Sequence, residues 1–124
     1  MEMAPTKLTR YRMKTGTWAF VLHRLAGLGL MAYLPLHIYV TGSLTRGPEE
    51  FNSVMALLDH PGLHFLEWGL LGIVLFHALN GLRLIVLDLG WMSDLRGQKR
   101  LFLALIGGGA LVWLAAFPFF MRWL

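Results

Sequence analysis

The chain has 124 residues, 56% hydrophobic and 15% charged, with a mean hydropathy of +0.58; that balance argues against a water-soluble core and for membrane-embedded helices. The absence of cysteine removes disulfides, thiolate zinc sites and cysteine-held iron–sulfur clusters. The net charge of +4 comes from Lys and Arg that flank apolar runs instead of forming one basic stripe, so nucleic acid is not an expected partner.

In chain order, apolar segments cover residues 18–41, 63–88 and 101–123, each near the roughly 20 residues that a helix needs to cross the hydrocarbon core. The expected fold is an all-α membrane protein of three transmembrane helices, a single membrane-anchor domain over residues 1–124. Lys7, Arg10, Arg12 and Lys14 precede the first span, and Arg96, Lys99 and Arg100 lie between the second and third; the opposite side has only Arg46 and Arg122. By the positive-inside rule the N-terminus is cytoplasmic and the C-terminus external. A cleaved signal peptide is not expected, because the first apolar run is too long and no small-residue cleavage site follows it.

The first connection, GSLTRGPEEFNSVMALLDHPG, has turn residues at both ends and about ten residues between them, with Pro48, Glu49 and Glu50 suited to a first helical turn. A short helix on the outer surface is expected there. The second connection, GWMSDLRGQKR, is short, polar and basic, fit to meet a cytoplasmic partner or anionic lipid head groups.

Polar residues inside the spans need a reason, because they are costly in hydrocarbon and by default mark a function or a protein-facing surface. The first span holds His23, Arg24 and His37, and the second holds His77, Asn80, Arg83 and Asp88. At 100° per residue, His77, Gly81, Leu84 and Asp88 share one face with Asn80 adjoining. Gly81 leaves a hollow one turn beyond the imidazole, suited to a close helix or to a flat macrocycle. His60 and His64 lie near the outer boundary, where boundary histidines are easily tolerated, and the Gly107-Gly108-Gly109 run is expected to be a helix-packing surface. If Arg24 and Arg83 both mark the cytoplasmic interface, His37 and His77 differ in depth by about 10 Å at the helical rise. One iron cannot bind both, so each would serve a separate metal. No hydrolytic motif is present, which leaves histidine ligation of haem b as the leading chemistry.

These residues resemble the cytochrome b membrane-anchor subunits of succinate dehydrogenase, respiratory complex II. HRLAG at 23–27 is similar to that family's His-Arg-small-Gly pattern in helix one; HALNGLR at 77–83 and DLG at 88–90 are similar to its helix-two pattern. The resemblance covers nearly the whole chain. It implies half of a heterodimeric anchor in a prokaryotic cytoplasmic membrane, completed by a second membrane-anchor subunit, with an iron–sulfur subunit and a flavoprotein subunit holding iron–sulfur clusters and FAD. It implies that His77 is a haem b ligand, that His23 and Arg24 lie by the haem propionates and the quinone pocket, and that Arg83 belongs to the same cytoplasmic-side cluster. His37 resembles the additional helix-one histidine of two-haem forms. Quinone would be the substrate, and no residue of this chain is catalytic by itself. There are two departures from the pattern: Ala19 and Phe20 stand where many members have a serine, and Leu84 where many have a histidine. The rival expectations are a haem-free structural anchor of a related fumarate reductase, with the histidines bonding only between helices, and a small transporter subunit.

Overall fold

The computed structural model of the chain describes residues 15–92 and 94–121. The cations Lys7, Arg10, Arg12, Lys14 and Arg122 lie outside the described residues. Four α-helices follow in order: α1 (Thr15–Gly42), α2 (Pro48–Leu58), α3 (Pro61–Asp88) and α4 (Leu95–Phe120), with one 3-10 turn, Ser43–Arg46, after α1. There is no strand among the described residues. Three stretches are long and apolar enough to cross a membrane, Gly16–Arg46, Pro61–Asp88 and Leu95–Phe120.

The short helix α2 forms where Pro48, Glu49 and Glu50 fit a helix start, and it runs to Leu58. Arg46 pairs with Glu50 across its first turn. His60 then caps α3, its Nδ1 accepting from the Gly62 amide at 3.0 Å. The far end of α3 closes with a left-handed Gly90 at φ 79°. The Gly90 amide bonds to the Leu87 carbonyl and the Trp91 amide to the Val86 carbonyl, which satisfies two of the last helical acceptors.

α4 begins six residues before the expected start of its span, at Leu95 instead of 101. The apolar run begins at 101, but helix formation needs only a cap and a continuing backbone, and Asp94 provides the cap by accepting from the Gly97 amide at 3.1 Å. Arg96, Lys99 and Arg100 therefore stand on the first turns of α4, not in a loop. The turn between α3 and α4 shrinks accordingly to residues 89–94.

α3 is the central helix, packed against α1 on one side and α4 on the other, while α1 and α4 barely meet. Between them an apolar groove of about 520 Å³ runs along α3, floored by Gly69, Gly72 and Phe76 and walled by Leu22 and Trp113. Close approach rests on individual glycines: a Cβ at Gly72 would meet Trp113 Nε1 at 2.8 Å, and one at Gly109 would meet Leu79. Of the triple-glycine run only Gly109 serves packing; Gly107 and Gly108 face open space.

Toward the start of α3 and the end of α4, Trp68 and Trp113 stack with ring centroids 4.1 Å apart and planes 5° from parallel. Each indole N–H donates to the other residue's backbone carbonyl at 2.8 Å. Phe117 closes one side edge-on, 4.9 Å from Trp68. Neither carbonyl needs a polar side chain as partner, so an amphipathic aromatic can join two helices without leaving an N–H bare in hydrocarbon.

Candidate functional site

α1 and α3 each carry a histidine followed four residues later by a glycine, His23 with Gly27 and His77 with Gly81. Four residues is about one helical turn, so each pair lies on one face. The two faces meet reciprocally. A Cβ at Gly27 would lie 3.1 Å from His77 Cε1, and one at Gly81 would lie 3.6 Å from His23 Cε1. The imidazoles stack between the helices with centroids 4.1 Å apart and planes 6° from parallel. At Gly81 the neighbour is His23 of α1, at ordinary contact distance.

His77 Nδ1 lies 3.3 Å from the His23 carbonyl. A carbonyl only accepts, so Nδ1 is the protonated nitrogen in this contact, and in the neutral ring Nε2 keeps its lone pair. A backbone acceptor on one nitrogen that leaves the other free is the arrangement that orients metal-ligating histidines. His23 differs: its Nδ1 is buried with no hydrogen-bond partner among the described residues.

One turn further along α3, Asn80 is 1% exposed and Arg83 5% exposed. The Asn80 amide donates to the Ala19 carbonyl at 3.4 Å, and its oxygen accepts from Arg83 Nη1 at 3.4 Å. The guanidinium lies 5.5 Å from the centre of the Phe102 ring, and its Nε has no partner among the described residues. Ala19 is buried beneath Asn80, so that position faces α3.

Arg24 goes elsewhere. One residue past His23, and so 100° around α1, it is exposed and lies 5.7 Å over Phe20. The structure therefore does not bring Arg24 and Arg83 into one cluster, nor to one depth. His77 is level with residues 23–27 of α1, and His37 is ten to fourteen residues further along that helix, about 15–21 Å at the helical rise. The expected gap of about 10 Å was too small because it placed the two arginines at one level.

His37 is exposed on α1, its Nδ1 3.0 Å from the Tyr33 hydroxyl. Thr41 donates to the His37 carbonyl at 2.7 Å, and α1 continues unbroken through Pro35. Near the start of α3, His64 is held between Asp59 at 2.9 Å and Glu67 at 3.4 Å. Asp88 ends α3 exposed. Among the described residues no three His, Asp or Glu side chains come together as a metal site. Gly27 stands in the sequence as the last residue of the HRLAG pattern, but its contact with His77 was not foreseen; its spacing from His23, identical to that of Gly81 from His77, was the available signal.

Residues 4–116 match the family described as succinate dehydrogenase/fumarate reductase transmembrane subunit. The chain belongs to that family. Among similar proteins, the succinate dehydrogenase 2 membrane subunit SdhC of Mycobacterium tuberculosis is 39% identical over 99 residues, covering 80% of this chain and 71% of its own. The succinate dehydrogenase hydrophobic membrane anchor subunit of Halobacterium salinarum is 36% identical over 107 residues, covering 86% and 81%. The succinate dehydrogenase cytochrome b556 subunit of Coxiella burnetii is 29% identical over 115 residues, covering 86% and 92%. A succinate dehydrogenase membrane anchor works in a complex with other subunits. The outward-facing apolar residues of α1, among them Leu28, Met31 and Leu34, are exposed in the isolated chain.

Proposed function

We propose that this membrane anchor holds haem b through His77 Nε2, in a prokaryotic cytoplasmic membrane and with its N-terminus cytoplasmic. The observation that carries this reading is the His77 Nδ1 contact with the His23 carbonyl at 3.3 Å. It supplies what an axial ligand needs, a neutral imidazole fixed by one nitrogen with the other free. The residues present fit the group. Haem b supplies one-electron redox chemistry when bound. The name of the Coxiella burnetii relative, a cytochrome b556 subunit, supports the same assignment.

A second membrane-anchor subunit would help hold the haem, and flavoprotein and iron–sulfur subunits would carry FAD and iron–sulfur clusters, with quinone as the substrate. In this chain, the exposed guanidinium of Arg24 is available to a quinone oxygen or an anionic group at the surface of α1. His23 Nδ1, which has no hydrogen-bond partner among the described residues, would be left to bond the quinone or an anionic group. Arg83 contributes a buried positive charge. His37, about 15–21 Å from His77 along α1, holds a second haem toward the outer side.

Haem per flavin in the purified complex, compared among wild type, His77→Ala and His37→Ala, tests this. Two haems per flavin that fall to one in each variant are expected. An unchanged low-spin spectrum in His77→Ala would exclude His77, and one haem in wild type would remove the role of His37. The stack of His23 on His77 also favours a second reading, a haem-free anchor in which the imidazoles only join α1 to α3. A purified complex without Soret absorbance would select it.

A further inference from the structure

We infer that Gly27 is the positioning residue for the His77 ring: its missing side chain, more than that of Gly81, sets where His77 Nε2 points. This rests on the proposal that His77 ligates haem b. The ring is confined in three directions. One face lies against His23 at 4.1 Å, Nδ1 is tied to the His23 carbonyl at 3.3 Å, and the Cε1 edge faces Gly27, where an added Cβ would stand 3.1 Å from Cε1 and 3.6 Å from Nδ1. Cε1 is bonded to both ring nitrogens, so pressure on it moves both. A methyl at 3.1 Å needs relief of a few tenths of an ångström. The backbone of α1 is fixed by its own helix, and the face toward His23 is already in contact, so the imidazole must turn. Turning lengthens a hydrogen bond that is long at the outset and re-aims the lone pair of Nε2.

Gly81 is the internal control. The same methyl there would lie 3.6 Å from His23 Cε1, an ordinary van der Waals contact. The two members of a symmetric-looking motif are therefore unequal. Gly27→Ala disturbs the ligand geometry of His77, and Gly81→Ala leaves it alone.

The test uses the whole membrane complex, with flavin per membrane protein as the measure of assembly. Optical and electron paramagnetic resonance spectra, with the midpoint potential of the haem lost in His77→Ala, measure ligand geometry. In Gly27→Ala the expected result is normal flavin, a shifted midpoint and low-spin signal partly converted to high-spin, while Gly81→Ala matches wild type. Wild-type spectra and midpoint in Gly27→Ala, or equal disturbance in both glycine variants, would overturn the inference. Should Gly27→Ala fail to assemble, the double variant with His77→Ala decides, since removing the imidazole removes the clash. Flavin restored to the level of His77→Ala supports the positioning role; no restoration overturns it. Full haem retention in His77→Ala is a different failure, that of the ligand assignment itself.

Discussion

Asn80 commits both ends of its amide at once, tying the Ala19 carbonyl of α1 to the Arg83 guanidinium of α3. In hydrocarbon such groups have no water to fall back on, so deleting the amide leaves Arg83 with an aromatic face as its remaining neighbour. Asn80→Leu keeps the volume and removes both bonds; the expected cost is about 1–3 kcal/mol. Thermal unfolding of the detergent-solubilised complex measures it, and an unchanged midpoint would show that neither 3.4 Å contact contributes. The polar residues themselves were legible, since His23, His77, Asn80 and Arg83 stand out against apolar neighbours. Their partners were not. A helical wheel gives the face of one helix but no register between two, so nothing in the string put Asn80 opposite Ala19 or left Arg24 exposed over Phe20.

Helices α3 and α4 are joined by a contact of another kind, in which small residues make room for an aromatic pair. Gly72 lets Trp113 reach Trp68: a Cβ there would stand 2.8 Å from Nε1 and 3.0 Å from Cε2 of Trp113, whereas nothing lies within 4 Å of one at Gly69. Gly72→Ala should push the indole out of its stack and loosen α4 from α3, at about 1–3 kcal/mol for an overpacked site. Gly69→Ala, three residues away, should be neutral or slightly stabilising through helix propensity. Tryptophan fluorescence and thermal stability of the two variants separate these outcomes, and equal behaviour would contradict the steric account. The three spans were legible because length and hydropathy decide them. The start of α4 was not, because Arg96, Lys99 and Arg100 interrupt the apolar run without interrupting the helix, and the capping role of Asp94 gives only a local signal.

Across the whole molecule, three spans require the two ends of the chain to lie on opposite sides of the bilayer. A reporter fused after Leu124 should therefore be external, if the N-terminus is cytoplasmic as the basic flanks direct. Activity of a cytoplasm-only reporter at that position would contradict the orientation. With α3 central, the chain has one joint of imidazoles between α1 and α3 and one of indoles between α3 and α4. Both rely on main-chain carbonyls as acceptors. For inheritance this makes positions 23 and 77 unequal. Every amino acid brings a carbonyl to position 23, so no missense allele there deletes the acceptor that holds His77, although every such allele deletes the stacked ring. Any missense allele at 77 deletes the imidazole donor.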